Sequence, residues 1–308
     1  MIKNNKDNEI LKKLSDLIPS NRLLVNEPLS KHTTFKIGGP ADYLIFPATT
    51  AEVADIMIIA KQNEMPVTLL GNGSNILVLD NGIKGLVLKF GSEMSYIRHV
   101  KNTIYVGAGA MLADVSSYVA EHGLGGFEFA IGIPGSIGGA VFMNAGAYSG
   151  EMCQVVTAVS GVCRNGGVKR FVGPEIVFGY RHSVFQDNGC VICEVELQLQ
   201  KQEKPDIKQK MDDYTVKRET KQPLEMPSAG STFKRPPGHF AGTLIEQAGL
   251  KGYTVGGAQV SNKHAGFIIN AGGATAKDVL LLIKEVQRRV HGHSGIMLQP
   301  EVRIFGEE

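Results

Sequence analysis

Tryptophan is absent from the 308-residue sequence, and aromatics make up only 7% of it. A platform that stacks successive bases of a single strand needs exposed aromatics, so this scarcity speaks against that mode of nucleic-acid binding. An excess of either charge is also missing: 32 Lys and Arg face 30 Asp and Glu, a net charge of +2. No basic run of the kind that tracks a phosphate backbone is present. No apolar run approaches the ~18–20 residues that span a bilayer. The start, MIKNNKDNEILKK, lacks the apolar core of a secretion signal. A cytoplasmic protein without a membrane span is expected. Cysteine is sparse, at Cys153, Cys163, Cys190 and Cys193, and forms no disulfide framework. Cys190 and Cys193 have CxxC spacing, but CVICEVELQLQ alternates as a strand does. An odd separation then puts the two thiols on opposite faces. Structural thiols are expected there. No histidine has metal-ligand spacing and HExxH does not occur, so no metal site is expected.

Glycine is abundant instead, with 37 residues. It is dense in GGFEFAIGIPGSIGGAVFMNAGAYSG, from Gly125 to Gly150, where Glu128 is the one charged side chain. Gly132-Ile133-Pro134-Gly135-Ser136-Ile137-Gly138-Gly139 predicts a tight loop feeding a helix near Ser136. Pro134 fixes φ, and the glycines permit close backbone approach. N–H groups at a helix start offer a seat for a phosphate. Upstream, Pro66 to Leu70 reads as a short strand running into Gly71-Asn72-Gly73-Ser74-Asn75, where successive N–H groups can face one anion. Two such loops suit a diphosphate. Neither is a Walker loop, and neither is GxGxxG opening a Rossmann helix.

Periodicity and turn residues predict the remaining elements. An amphipathic lead helix runs from Asp7 to Ile18 and stops at Pro19. A strand, Asp42 to Phe46, precedes a helix opened by the capping-box pattern Thr49-Thr50-Ala51-Glu52. Strands follow at Gly85–Phe90, Ser95–His99 and Thr103–Val106, then a helix at Met111–His122. Further strands are expected at Val155–Val162, Val168–Val172 and Cys190–Gln200. A charged, solvated helix covers Asp206 to Thr220. Beyond it come a helix around Gly242–Ala248, short strands near Ala258 and Gly266–Asn270, a long helix from Thr275 to His291, and a final strand, Leu298–Phe305. Glu301 and Arg303 would then share a face of that strand.

GNGSN after a strand, followed by GIPGSIGGAVFMNAGAYSG, resembles the FAD-binding domain of vanillyl-alcohol-oxidase-type flavoproteins. FGYRHSVF, SAGSTFKRP and QPEVR then occur in the order of the UDP-N-acetylenolpyruvoylglucosamine reductase family of bacterial cell-wall synthesis. The resemblance runs from Leu29 to Phe305. It implies an α+β fold: a two-lobed FAD-binding domain over 35–200, split near 85, and a C-terminal α+β substrate-binding domain over 201–308. A helical lead, 1–34, comes first, and the last strand returns toward the FAD domain. It implies noncovalent FAD, NADPH as hydride donor and a UDP-sugar substrate. Catalysis would fall to Arg181, Ser231 and Glu301. FAD would be bound by Gly71, Asn72, Gly73, Ser74 and Asn75 and by Ile133, Pro134, Gly135, Ser136, Gly138, Gly139, Asn144 and Gly146. Tyr148, Lys234, Arg235, His264 and Arg303 would meet substrate.

The chemistry suits these residue types. Hydride arriving at the vinyl carbon drives negative charge into the substrate carboxylate, which Arg181 can clamp bidentately. Glu301 could share that charge if burial keeps it protonated. Ser231 is the implied proton donor to the neighbouring carbon. The rival within this fold is an oxidase or dehydrogenase acting on an alcohol or sugar. Such an enzyme needs a base, not an acid. A nucleotide-binding module without catalysis would use the glycine loops alone. The interval between Arg181 and Ser231 is short, so the chain resembles the subclass that lacks the tyrosine loop closing over the substrate.

Overall fold

The computed structural model describes residues 5–307; the first four residues of the expected lead and Glu308 lie outside them. The chain forms two compact units, neither of them contiguous. The first takes the residues up to Val25, Tyr43–Asn72 and Gly85–Val216; the second takes Asn26–Asp42, Gly73–Lys84 and the residues from Lys217 onward. The division expected from the sequence follows contiguous segments, whereas these units follow pairings between distant ones.

In the first unit, α1 (Asn5–Leu17) buries Ile10 and Leu14. α2 (Thr50–Gln62) is capped by Thr49, whose side chain accepts from Glu52 N. The Glu52 carboxylate does not close the expected box. It binds Arg22 through two bonds of 2.6 and 2.9 Å and accepts from Ala48 N at 2.7 Å. This guanidinium holds the carboxyl below its usual pKa. Ile10, Leu14, Ile45, Val53, Ile56, Leu86 and Leu88 share one core. The Val67–Leu70 strand lies parallel to Ile83–Lys89, with Leu70 opposite Lys89.

The rest of the first unit is built on an antiparallel five-stranded sheet. Its order is Val168–Val172, Val156–Val162, Val191–Gln198, Thr103–Gly107, Ile97–Val100. α3 (Leu112–Glu121), α4 (Ile137–Phe142) and α5 (Phe185–Asn188) belong to it. Ile104, Val106, Phe127, Phe129, Val141 and Val195 lie in its core. One expectation is corrected here. Val162 pairs with Val191, which sets the next residues, Cys163 and Cys190, side by side, and they form a disulfide. Strand register created that proximity across 27 positions of sequence. Cys193 is a free, buried thiol, pushed up to about 12 by burial, and Cys153 is free and exposed. α6 (Lys204–Lys221) is solvated as expected; Ile207 is its one buried side chain among the described residues.

The second unit contains α7 (Ala241–Gln247) and α8 (Ala276–Ser294). α8 starts in a full capping box of Thr275 and Asp278, and Asp80 adds its two carboxylate oxygens to the amides of Ala276 and Lys277. Val279, Leu282, Ile283, Val286 and Val290 form its buried face. An antiparallel sheet runs Ser228–Ser231, Phe267–Asn270, Ala258–Val260, Thr254–Val255. Arg303–Phe305 pairs in parallel with Ile76–Val78, a strand that local pattern did not reveal. The expected C-terminal strand is shortened to Arg303–Phe305. Pro300, which has no N–H, makes an isolated bridge to Phe233, and Glu301 lies outside the strand. The alternation argument linking Glu301 to Arg303 therefore fails. No helix among the described residues is long and apolar enough to cross a membrane.

Candidate active site

Within the first unit, Gly71-Asn72 and the Pro134-Gly135-Ser136 loop lie against each other. Asn72 Nδ2 donates to Pro134 O at 2.8 Å. A Cβ on Gly71 would stand 2.9 Å from Ser136 Oγ, so a larger residue there would have to displace that hydroxyl. α4 starts next to Ser136, as expected, and the Ser136 hydroxyl caps it by accepting from Gly139 N. The helix start is less open than its sequence implied. Ile137 N is bonded to Ala110 O at 2.8 Å and Gly138 N to Ala108 O at 3.0 Å. Those amides already serve the fold, so α4 offers few donors to an anion. Gly138 is there for packing: its Cβ would meet Ala108 Cβ at 2.9 Å. The neighbouring loop differs. Asn72, Gly73 and Ser74 donate no backbone hydrogen bond among the described residues.

Arg181 stands at the tip of a hairpin in the same unit. Phe178–Gly179 and His182–Ser183 pair across Tyr180-Arg181, and Arg181 takes φ +55°. Strands this short do not hold themselves. Side-chain bonds to and from neighbouring segments fasten the hairpin. Asn144 Nδ2 donates to Gly179 O at 3.0 Å, Ser183 Oγ to Phe142 O at 2.9 Å, and Gln186 Nε2 to Arg181 O at 3.0 Å. Asn144 is 2% exposed, and its remaining contacts are Glu151 Oε2 and Cys153 N. Its amide is occupied within the protein, so this expected cofactor ligand acts as a fastener. Gly146 is likewise structural: it pairs with Glu151 in a hairpin, and a Cβ there would meet Gly150 O at 2.6 Å.

Ser231 and Glu301 belong to the second unit, where main-chain bonds join their segments. Glu301 N donates to Thr232 O at 2.8 Å and Lys234 N to Gln299 O at 2.8 Å. Ser231 ends a strand rather than a turn, and a register shift precedes it where Gly230 takes φ +73°. Such a shift re-aims the following side chain; Ser231 is exposed and Glu301 half-buried. The Gly73-Ser74-Asn75 part of the upstream loop is bound to the same segments. Arg303 N donates to Asn75 O at 3.0 Å, and Thr34 Oγ1 reaches both Gly73 O and Ser228 O. Gly73 takes φ +69° with its Cα against His32 and Thr33, where no side chain fits.

Residues 41–171 match the family model for an FAD binding domain, and residues 222–305 match that for the C-terminal domain of UDP-N-acetylenolpyruvoylglucosamine reductase. The reductase of that name from Clostridium perfringens (strain SM101 / Type A) is 48% identical over 97% of this chain and 98% of its own length. The chain belongs to the UDP-N-acetylenolpyruvoylglucosamine reductase family. A second member, from Syntrophomonas wolfei, is 46% identical over 95% of this chain and 98% of its own. The crystal structure of the reductase from Thermus caldophilus superposes with a TM-score of 0.79 at 37% identity, covering 92% of this chain and 98% of that one. The 4-ethylphenol oxidase from Gulosibacter chungangensis gives 0.50 at 17% identity over 65% of this chain and 44% of that one, a likeness of fold alone. The α+β architecture with a vanillyl-alcohol-oxidase-type FAD-binding domain is therefore the family's own.

The other residues that the reductase resemblance singled out fall into two sets. Tyr148 stacks flat on Tyr214 of α6, 4.3 Å between centroids, and its hydroxyl donates to Tyr214 O. His264 is a loop staple: Nδ1 accepts from Gly266 N, the ring lies edge-on to Phe267, and burial lowers its pKa. Arg235 covers the Phe240 ring at 4.0 Å. Lys234 and Arg303 flank the Glu301 segment, and burial depresses the pKa of Arg303. Sequence reasoning passed over Lys89. It is half-buried opposite Leu70, at the end of the strand pair leading into Gly71, and burial pushes its ammonium pKa down. A lysine closing the apolar run GLVLK was the available signal.

The residues present fit an FAD. The close approach at Gly71 and the loop amides of Asn72, Gly73 and Ser74 are features a diphosphate requires.

Proposed function

We propose that this chain uses FAD and NADPH to reduce UDP-N-acetylglucosamine enolpyruvate to UDP-N-acetylmuramate, in the cytoplasm, as a step of peptidoglycan synthesis. The observation that carries the reading is the family match across 97% of the chain, together with the main-chain bond from Glu301 N to Thr232 O. That bond ties the Ser231 and Glu301 segments together. Bound FAD supplies the hydride relay between NADPH and the vinyl carbon. The Gly71–Asn75 loop and the Ile133–Ser136 loop hold it noncovalently. Residues 201–308 contribute most of the substrate-binding domain.

Arg181 holds the substrate carboxylate with its permanently charged, planar fork and takes up the charge that develops there. Glu301, half-buried, takes part beside it. Ser231 gives its proton to the carbon next to the carboxylate. Lys234, Arg235 and Arg303 supply cations for the nucleotide diphosphate. Purified protein should be yellow, bleach with NADPH and recolour with the enolpyruvyl sugar nucleotide. A yellow protein that bleaches instead with an alcohol or sugar, and ignores the sugar nucleotide, would replace this reading with an oxidase of the same fold.

A further inference from the structure

The hairpin carrying Arg181 has two residues in each strand, and its tip residue sits in the left-handed region at φ +55°. A non-glycine residue is uncommon there and persists when its surroundings hold it. Gln186, in α5, bonds that residue directly. Its Nε2 donates to Arg181 O at 3.0 Å and to Phe142 O at 2.8 Å. An amide nitrogen has two hydrogens; the two carbonyls are its close acceptors, and Met143 Sδ is a third, weaker one at 3.8 Å. Phe142 is the last residue of α4, so its carbonyl is among those a helix leaves without an intrahelical partner. Buried Ser183 donates to that same carbonyl at 2.9 Å.

α4 thus has a role at each end. Its start follows the Pro134–Ser136 loop, and its finish holds the bracket on Arg181. Its length, six residues, sets the spacing between them. Asn144 and Ser183 fasten the hairpin elsewhere; Gln186 alone among these three side chains bonds Arg181 itself.

We infer that Gln186 is a positioning residue for Arg181, registering the arginine against the helix that follows the glycine loop; this rests on Arg181 acting as the carboxylate clamp. The test uses FAD-loaded Gln186→Glu, which keeps the shape but removes both donor hydrogens, with Gln186→Leu as a second variant. Stopped-flow absorbance follows the two half-reactions separately. Reduction by NADPH should stay within about twofold of the wild type, the usual scatter of uncoupled sites. Recolouring by the enolpyruvyl sugar nucleotide should slow by ~10–100-fold, the scale expected of a misplaced catalytic group. That slowing should vanish in an Arg181→Ala background, because a residue acting through Arg181 has nothing left to position. Equal slowing of both half-reactions, or full slowing in the Arg181→Ala background, would overturn the inference and leave the clamp intact. Wild-type recolouring by Arg181→Ala alone would instead remove the clamp reading itself.

Discussion

Arg181 and the Ser231–Glu301 pair are held by opposite means. The Arg181 hairpin hangs on three side chains, Asn144, Ser183 and Gln186, each donating to a carbonyl. The Ser231 and Glu301 segments are joined backbone to backbone, through Thr232 O, Gln299 O and Asn75 O. Main-chain bonds survive most substitutions, because every residue but proline brings the same donor and acceptor. Side-chain bonds each depend on a single position. The first region can therefore be loosened by one mutation remote from the chemistry. The second has to be altered at Ser231 or Glu301 itself.

The largest expected effect follows from the main-chain region. Ser231→Ala removes one exposed oxygen and none of the bonds that hold the segment. Recolouring by the enolpyruvyl sugar nucleotide should fall by ~10²–10⁴-fold, as for loss of a positioned general acid. Stability should change by no more than about 0.5 kcal/mol, and bleaching by NADPH should be preserved. Ser231→Cys should retain more activity than the alanine variant. A wild-type recolouring rate in Ser231→Ala would make another group the proton donor.

Next comes a pair that compares the two regions directly. Asn144→Ala deletes three hydrogen bonds from a site that is 2% exposed. It should cost about 2–4 kcal/mol, since buried partners are left unsatisfied. Thr232→Val deletes one buried acceptor, the hydroxyl that takes Ile268 N, and should cost about 1–2 kcal/mol. Denaturant melts of both variants would break the comparison if the order were reversed.

A loss smaller than that of Asn144→Ala is expected at the other end of α4. Gly138→Ala brings a methyl within 2.9 Å of Ala108 Cβ, an overpacking worth about 1–3 kcal/mol. Melting of the flavin-free protein should reveal it, because the clash is with the fold rather than with cofactor. An unchanged apoprotein melting temperature would return Gly138 to a purely cofactor-facing role.

The smallest effect is a pH dependence in the second unit. Burial depresses the His264 pKa, so the folded state disfavours the charged ring. The unfolded chain takes up that proton near its ordinary pKa of about 6.5, and the folded chain does so only at lower pH. His264 thus contributes full stability above that value and loses it progressively as pH falls below it. The melting temperature should fall more steeply with acid in the wild type than in His264→Gln. Parallel curves would show that the ring titrates freely.

Local pattern made much of the fold legible. The start of α8 near Thr275, its buried stripe and the run Val67–Leu70 all depend on neighbours a few residues away. So do the glycine loops, and FGYRHSVF, SAGSTFKRP and QPEVR placed the catalytic candidates by resemblance. What stayed hidden depends on distant partners. Ile76–Val78 looks like a strand only once Arg303–Phe305 lies beside it. Cys163 and Cys190 meet because of a ladder register. The amides of Ile137 and Gly138 looked available because nothing local says that Ala110 and Ala108 will take them. Asn144 reads as one more polar residue in a glycine-rich stretch until its three partners, two of them within ten residues and one on the Arg181 hairpin, are seen.

The second unit draws Phe35, Leu77 and Val302 into one core and pairs Ile76–Val78 with Arg303–Phe305. Its early segments therefore leave the ribosome long before their partners exist. At ~5–20 residues per second, the stretch of about 225 residues between the two paired strands takes on the order of 10–45 s to synthesise. During that interval Leu77 and Val78 have no strand to lie against. The unit closes only once Arg303–Phe305 has been made, and a chain that stalls or is clipped before that strand forfeits a core to which Phe35 and Leu77 belong.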